Sequence, residues 1–177
     1  MASAGFSVSY RLARPDEADL VVAIDDDASA LYAEHGLVID LSREPAFFAW
    51  ESEVWARSVR SGRTHLAISE PAEPIAFAAL SEVDGAAHLA QLSVRRAWMG
   101  RGVGRALLER ALEHCRPSGV VWITTYAHLP FNAPFYERHG FVRVEDESAG
   151  PELRAILARE RCALPAPEQR IAMKHAL

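Results

Sequence analysis

The pattern of apolar and polar residues predicts strands and helices that alternate along most of the chain. Alternating apolar positions, or runs rich in β-branched and aromatic residues, predict strands at 6–12, 65–69, 75–83, 87–94, 119–126, 141–144 and 170–175. Apolar residues three and four apart, together with helix-opening and helix-closing residues, predict helices from 15 to about 36 and at 44–60, 102–115, 131–139 and 152–161. This order is typical of an α/β (mixed α+β) fold with a mixed sheet flanked by helices.

Local turn signals support this division of the chain. The pair Asp84-Gly85 between two strands is a strong hairpin signal. Gly140 stands where a helix would end in a left-handed residue. No repeat or linker interrupts the 177 residues, so residues 1–177 are interpreted as a single domain.

The composition narrows the class of protein. Half of the residues are hydrophobic and 24% are charged, which excludes a disordered chain, a collagen-like repeat and a disulfide scaffold. No apolar run approaches the length of a membrane span, and the first residues lack the features of a signal peptide. Cys115 and Cys162 have no metal-like spacing. We therefore expect a reduced, cytoplasmic protein without a membrane segment or a metal site.

Charge is distributed unevenly along the chain. The net charge of −5 argues against non-specific nucleic-acid binding. Residues 1–60 carry 11 acidic and 5 basic side chains, whereas residues 95–116 carry six arginines against two glutamates, a local charge of +4. This segment of an acidic protein is suited to meet an anion.

The same basic segment contains a glycine-rich loop between a predicted strand and a predicted helix. Gly100, Gly102 and Gly104 allow a ligand to approach the backbone without a Cβ in the way. The first turn of the following helix supplies N–H donors without partners and a partial positive charge. Together these features predict a phosphate cradle.

Two common phosphate-binding motifs do not fit this loop. A Walker A loop needs Gly-Lys-Ser/Thr, and the loop contains no lysine. The dinucleotide fingerprint needs a third glycine where Arg105 and Leu107 stand. The glycine pattern alone therefore does not identify the phosphate-containing ligand, and the residues around the loop have to be considered as well.

Those residues resemble the GCN5-related N-acetyltransferase (GNAT) family. The run Met99-Gly-Arg-Gly-Val-Gly104 is similar to motif A of the family, Gln/Arg-x-x-Gly-x-Gly/Ala, with Met99 where the family usually has Gln or Arg. The run Asn132-Ala-Pro-Phe-Tyr136, followed by Gly140 and Phe141, is similar to motif B. The resemblance extends over about residues 10–173. It implies a central mixed, mostly antiparallel sheet of about seven strands.

The resemblance also implies acetyl-coenzyme A as co-substrate and a primary amine as acceptor. It implies that backbone N–H groups of the loop hold the pyrophosphate, that Arg96, Arg101 and Arg105 add charge near the phosphates, and that the strand edge at 92–94 pairs with the pantetheine arm. A backbone N–H near Leu92 or Ser93 would stabilise the oxyanion. The cofactor-binding residues expected on this basis are Leu92, Ser93, Val94, Met99, Gly100, Arg101, Gly102, Val103, Gly104, Arg105, Asn132 and Tyr136.

Transfer of an acetyl group to an amine needs an acid for the departing thiolate. By resemblance, Tyr136 lies near the acetyl sulfur, and a phenol with a pKa of about 10 keeps its proton at neutral pH. The alternative is a half-buried aromatic on an amphipathic helix. Asn132 is expected on the same helix face as Tyr136. It is interpreted either as a contact of the cofactor or as an ordinary N-cap.

The reaction also needs a base. His88 lies eleven residues before Met99, where several family members carry their base, and imidazole titrates near neutral pH. Glu82, acting directly or through water, is the second candidate, and a plain structural histidine is the alternative. By the two-residue period of a strand, Gln91 is expected on the opposite face from His88.

The resemblance further implies that the N-terminal helices shape the acceptor pocket. This region holds the aromatic residues Tyr32, Phe47, Phe48, Trp50 and Trp55. The run Asp25, Asp26 and Asp27 is either a binding site for a cation or, as we favour, a solvated helix face. Cys115 is expected on the core face of its helix and not as a nucleophile.

The alternatives in function are an acetyl-coenzyme A-binding sensor without transfer activity and an acyltransferase that uses another acyl-coenzyme A or a hydroxyl acceptor. Many relatives pair as homodimers, but no feature of this sequence fixes an interface.

Overall fold

The structure is a computed structural model that describes residues 7–40 and 42–177. In this part of the chain the strands form a sheet in the order β1-β2-β3-β4-β5-β7-β6. Their bounds are β1 Val8–Leu12, β2 Thr64–Ser69, β3 Glu73–Val83, β4 Ala86–Val94, β5 Val120–Tyr126, β6 Val142–Val144 and β7 Arg170–Ala176. The helices are α1 Ala18–Glu34, α2 Pro45–Arg60, α3 Val103–Cys115, α4 Ala133–Glu137 and α5 Pro151–Ala163.

This order of elements and the mixed α+β fold class confirm the prediction. The strand boundaries agree to within a few residues, and residue 6, predicted as the start of β1, lies outside the described residues. Helix α4 is shorter than the predicted 131–139. It begins after Asn132, whose backbone (φ −108°, ψ −114°) is outside the helical region, and it is followed by Gly140 at φ +87°.

The sheet has a helical layer on each face. Alternating residues of the central strands pack against α3 and α4 on one face, among them Ala78, Leu80 and Ile123. The residues between them, which include Phe77 and Ala79, lie on the opposite face and pack against α1 and α2. Helix α5 covers the same face as α2 further along the sheet, where it packs against Trp122 and Ala172.

A tight hairpin fixes how α5 sits on the sheet. Asp84 (φ +51°) and Gly85 (φ +73°) form the predicted two-residue turn between β3 and β4. The Asp84 carboxylate accepts hydrogen bonds from the N–H groups of Glu152 and Leu153 at 2.9 and 3.0 Å. A carboxylate at the positive end of a helix is stabilising, so this contact anchors the start of α5 beside the hairpin.

Strands β4 and β5 are the one parallel pair among the described strands, and they separate early. Pairing is present at Ala87 with Val121 and at His88 with Trp122 and then stops. Beyond His88, β4 has β3 on one side only. A gap therefore opens in the middle of the sheet, and the loop that leads to α3 follows directly after it.

Within residues 7–40 and 42–177, no helix combines the length and the hydropathy that crossing a membrane requires.

Candidate active site

The loop after β4 has backbone donors without protein acceptors. Gly100 and Gly102 have φ of +72° and +81°, a region that favours glycine, and Gly102 is the N-cap of α3. In the described part of the chain, the N–H groups of these two glycines and of Val103, Gly104 and Arg105 donate to no acceptor. A glycine-rich turn that runs into a helix N-terminus is suited to bind phosphate. We call residues 100–105 the cradle.

Gly104 and Met99 have additional structural roles. A Cβ at Gly104 would lie 3.4 Å from Val94 Cγ2, so glycine lets α3 approach β4 closely. Met99, in extended backbone after a short 3-10 turn, is half-buried and replaces the polar residue that the family motif usually has here. The cradle therefore depends on backbone groups and not on a side chain at position 99.

The arginines expected beside the cradle already have partners. Arg96 forms an ion pair with Glu34, and Arg105 Nε lies 2.8 Å from Glu109 Oε1. The guanidinium of Arg101 lies 5.2 Å from the centre of the Trp98 ring. The ion-paired side chains are about half exposed or more, and exposed ion pairs are weak, so an incoming anion can compete for them. The backbone N–H groups of the cradle need no such exchange of partners to bind an anion.

Leu92, Ser93 and Val94 follow the gap between β4 and β5. Leu92 and Val94 pack towards the α3 face, and Ser93 faces α1. Because β5 has turned away, the edge of β4 that faces the gap at these residues has no strand partner among the described residues. An unpaired edge can receive an extended ligand as an added strand.

The prediction that Gln91 and His88 occupy opposite faces is wrong. The register of β3 with β4 passes from Ala79–Gln91 to Leu80–Leu89, so Ala90 is an extra residue in β4. Such a bulge reverses the alternation of side chains beyond it. Gln91 therefore shares the face of His88, although its amide cannot act as a base.

The prediction that the aspartate run is a solvated face is wrong for Asp25, which is half-buried, and correct for Asp26 and Asp27, which are exposed. Asp25 Oδ1 accepts hydrogen bonds from Gln91 Nε2 at 2.5 Å and from Ser93 Oγ at 2.6 Å. Burial raises the pKa of Asp25, and these hydrogen bonds offset part of the rise. Asp27 Oδ2 accepts the N–H of Arg96 at 2.7 Å. Two of the aspartates thus attach α1 to the end of β4.

A cavity of about 280 Å³ lies between α2, the β3–β4 hairpin and α5, and we call it the α2–α5 cavity. Its exposed mouth includes Arg57, Arg63 and Glu82. Glu82 Oε2 lies 3.0 Å from Arg63 NH1, and both side chains are about half exposed. The second candidate base is therefore in an ion pair at the mouth.

His88 lies in the buried wall of this cavity and is 4% exposed. Its Nδ1 lies 2.9 Å from Ser81 Oγ, and its Nε2 has no hydrogen-bond partner among the described residues. Burial lowers the pKa of His88 to about 4, because the charged imidazolium is poorly solvated there. At neutral pH the ring is therefore neutral, and it titrates below the near-neutral range expected of it from the sequence.

Glu51 on α2 also lines the cavity, and the sequence analysis did not select it. Burial raises the pKa of Glu51 to about 8; the negative charges of Asp25 and Glu160 add to the rise, and Arg170 opposes it. A glutamate in the middle of an amphipathic helix has no distinguishing sequence signal. Only the packing of α2 against α5 and the sheet shows that it is half-buried in the lining of the cavity.

Glu160 and Arg170 form a buried ion pair beside Glu51. Glu160 Oε2 lies 2.6 Å from Arg170 NH2, and both side chains are under 10% exposed. The other oxygen, Oε1, accepts a hydrogen bond from Thr124 Oγ1 at 2.7 Å, and Arg170 stacks over the Tyr126 ring at 4.6 Å. These contacts join α5 to β5 and β7.

Tyr136 on α4 is buried on the α3 face, where its ring contacts those of Phe135 and Phe141. Burial raises the pKa of Tyr136 above its ordinary value, and the nearby Tyr32 adds to the rise. The phenol therefore stays protonated at neutral pH. This burial agrees with the structural alternative and is compatible with an acid role.

Asn132 stands at the N-cap of α4 but makes no capping hydrogen bond with its side chain. Its Nδ2 lies 3.4 Å from the Tyr32 hydroxyl, and its buried Oδ1 has no partner among the described residues. The N-cap alternative is thus wrong for the side chain. An unpaired buried carbonyl oxygen is suited to accept a hydrogen bond from a ligand.

The aromatic residues expected at the acceptor pocket are divided between two places. Trp50 and Trp55 line the α2–α5 cavity, and Phe47 packs on Trp50 and Phe48 beside it. Tyr32 instead packs with Tyr126 and Phe131 near α4.

Cys115 is buried on the core face of α3, as predicted, and burial raises the pKa of its thiol to about 11. Among the described residues, no group of three or more His, Cys, Asp or Glu side chains could hold a metal ion.

Comparison with known proteins identifies one family. The family model described as acetyltransferase (GNAT) family matches residues 20–141. Among solved structures, the PaiA N-acetyltransferase of Thermoplasma acidophilum in complex with coenzyme A is similar with a TM-score of 0.70 and 14% identity, over 97% of this chain and 99% of that one. An acetyltransferase of the GNAT family from Staphylococcus aureus Mu50 gives a TM-score of 0.67 and 16% identity, with coverages of 97% and 99%.

A further similar structure is the N-acetylglutamate synthase of Neisseria gonorrhoeae complexed with coenzyme A and N-acetylglutamate. Its TM-score is 0.66 and its identity 18%, over 97% of this chain and 35% of that one. At such identities the structural likeness shows the fold alone.

Proposed function

This chain belongs to the GNAT family of acetyltransferases, and from that premise we propose that it transfers an acetyl group from acetyl-coenzyme A to a primary amine by direct attack of the amine. The observation that carries the proposal is the cradle beside the gap between β4 and β5. Within the part of the chain that the structure describes, five backbone N–H groups without acceptors lie next to a strand edge without a partner. One feature suits a pyrophosphate and the other an extended pantetheine arm.

The residues present fit acetyl-coenzyme A, which supplies an activated acetyl thioester when bound. The N–H groups of the cradle would hold its phosphates, and the β4 edge at Leu92, Ser93 and Val94 would hold the pantetheine arm. The unpaired Oδ1 of Asn132 would accept a hydrogen bond from the same arm. A backbone N–H near Leu92 or Ser93 would stabilise the oxyanion.

Tyr136 is proposed as the general acid. Its pKa is raised by burial, so it carries the proton that the departing sulfur needs. Burial also fixes the ring between Phe135 and Phe141.

His88 is proposed as the general base. Its Nε2 has no partner among the described residues, and its ring stays neutral at physiological pH. For Nε2 to accept a proton, Nδ1 must carry the ring hydrogen and donate it to Ser81 Oγ, at 2.9 Å. Glu82 is the weaker candidate, because its carboxylate lies at the exposed mouth of the cavity and is engaged by Arg63.

The experiment is Tyr136→Phe, which removes only the hydroxyl. Turnover should fall by roughly 10²-fold, within the range for loss of a general acid, while coenzyme A affinity stays unchanged. The matched control is Tyr10→Phe, which alters a tyrosine that stacks on Arg110. Thiol release is followed with a panel of amines, and coenzyme A binding is followed by calorimetry.

Unchanged turnover in Tyr136→Phe would remove Tyr136 from the mechanism. Binding of coenzyme A without thiol release for any amine would favour a sensor. Faster release from longer acyl donors would favour another acyl-coenzyme A.

A further inference from the structure

Among the described residues that line the α2–α5 cavity, one acidic side chain has no ion-pair partner. Glu82 is paired with Arg63 at the mouth, and Glu160 is paired with Arg170. Glu51 lines the same cavity, and among residues 7–40 and 42–177 it has no hydrogen bond and no ion pair. Glu51 is half-buried, and its place in the lining of the cavity leaves its carboxyl group available to a ligand.

Two further polar atoms in the wall of this cavity lack partners. His88 and Trp55 are each 4% exposed, and both line the cavity. His88 Nε2 and Trp55 Nε1 make no hydrogen bond within the residues that the structure describes. Buried polar groups in native proteins are nearly always paired, so these two nitrogens indicate a polar occupant independently of Glu51.

We propose that the α2–α5 cavity binds the amine acceptor as a cation, with Glu51 accepting hydrogen bonds from its ammonium group. This inference rests on the proposed function and narrows its acceptor. Because His88 also lines this cavity, the acceptor would lie beside the residue proposed as the base. Trp55 lines the same cavity.

The charges around Glu51 also disfavour an acceptor that carries a carboxylate. Asp25 on α1 and Glu160 on α5 lie close enough to raise its pKa, and Arg170 on β7 is engaged by Glu160. His88 on β4 is neutral at pH 7.5. A second negative charge would meet repulsion here, whereas an ammonium gains a charge-assisted hydrogen bond.

The size of the cavity favours a compact molecule. Its volume of about 280 Å³ is at the small end of the range for ligand sites. The class is therefore a small aliphatic primary amine without a carboxylate.

The first test uses butylguanidinium, a permanent cation that cannot lose its own proton under assay conditions. With a pKa of about 8, Glu51 is roughly three-quarters protonated at pH 7.5, so binding of the cation should release about 0.75 proton. Calorimetry in two buffers of different ionisation enthalpy measures this release. Glu51→Gln should weaken binding by about 30-fold and abolish the release.

The matched control is Glu53→Gln on the same helix. Glu53 is half-exposed, pairs with Arg60 and, at 4.0 Å, with Arg57, and does not itself line the cavity, so its removal changes the formal charge equally. Binding and proton release should both stay within about twofold of the wild-type values. Equal effects of the two substitutions would overturn the proposal, because the cation would then be responding to overall charge.

The second test compares butylamine with 4-aminobutanoate, which has a carboxylate in place of the terminal methyl group. The proposal expects kcat/KM to favour butylamine by at least about 10²-fold, and the preference to shrink in Glu51→Gln. Preference for 4-aminobutanoate would overturn the proposal, since it would mean that Arg57 and Arg63 at the mouth bind the carboxylate of the substrate. If no amine is acetylated, the proposed function fails, and the guanidinium titration alone decides whether Glu51 binds a cation.

Discussion

Replacement of His88 by asparagine should make the protein less sensitive to acid. His88 is buried as a neutral imidazole, with Nδ1 at 2.9 Å from Ser81 Oγ. Asparagine keeps a polar atom near the position of Nδ1 but cannot be protonated. The substitution therefore removes the titratable imidazole and keeps a hydrogen-bond partner for Ser81.

The size of the effect follows from the change in pKa on folding. Burial lowers the pKa of His88 from 6.5 to about 4, so the unfolded chain binds the proton more readily than the folded protein. Acid therefore favours unfolding. The loss of stability begins near pH 6.5 and is complete near pH 4. Between pH 7 and pH 5, this histidine should lower the free energy of unfolding by about 1.8 kcal/mol.

The assay is urea unfolding at pH 7 and pH 5, followed by tryptophan fluorescence. The measured quantity is the difference between the two pH values within each protein, so a general loss of stability from the smaller side chain cancels. His65, whose pKa burial also lowers to about 4, titrates in wild type and variant alike. His128→Asn replaces an exposed histidine and serves as the matched control.

His88→Asn should reduce the difference between pH 7 and pH 5 by about 1.8 kcal/mol, and His128→Asn should leave it unchanged. If His88→Asn loses as much stability as wild type over this range, His88 is not a buried neutral imidazole.

Two further substitutions test the cradle and the buried ion pair. Gly102→Ala forces a side chain into φ +81°, which should cost about 1–2 kcal/mol of stability and weaken coenzyme A binding about 10-fold in calorimetry. Gly62→Ala, at φ +69°, should cost similar stability without affecting binding, and equal loss of affinity in both would refute the cradle. Glu160→Gln leaves Arg170 buried without a counter-charge and should lower the free energy of unfolding by about 3–5 kcal/mol in urea titration. Glu137→Gln breaks an exposed pair and should change it by less than about 1 kcal/mol, and similar losses in both variants would contradict the buried pair.

The elements of the fold could be predicted because their signals are local. The hairpin needed only Asp84 and Gly85, two residues that accept positive φ. The cradle needed glycines followed by a helix, a pattern that the backbone alone produces. The expectation for Gln91 failed because the extra residue at Ala90 leaves no mark in the sequence, yet it reverses every side chain beyond it.

The acceptor side of the site could not be read in this way. Asp25 looked like part of a solvated face because three aspartates in a row usually are, but its oxygens meet Gln91 and Ser93 from another element. Glu51 carries no local signal, and its burial results from three elements that meet around it. The arginines correctly indicated a local excess of positive charge near the cradle. The acidic residues that pair with them, such as Glu34, come from distant parts of the chain.

The sequence by itself determined the order of elements, the hairpin and the glycine-rich loop, since each depends on the conformational preferences of neighbouring residues. Only the tertiary structure decided where β4 and β5 part, which face each β4 side chain occupies, and which carboxylates are buried. These properties depend on strand register and on packing between residues far apart in the chain, and a one-residue shift in register changes them all.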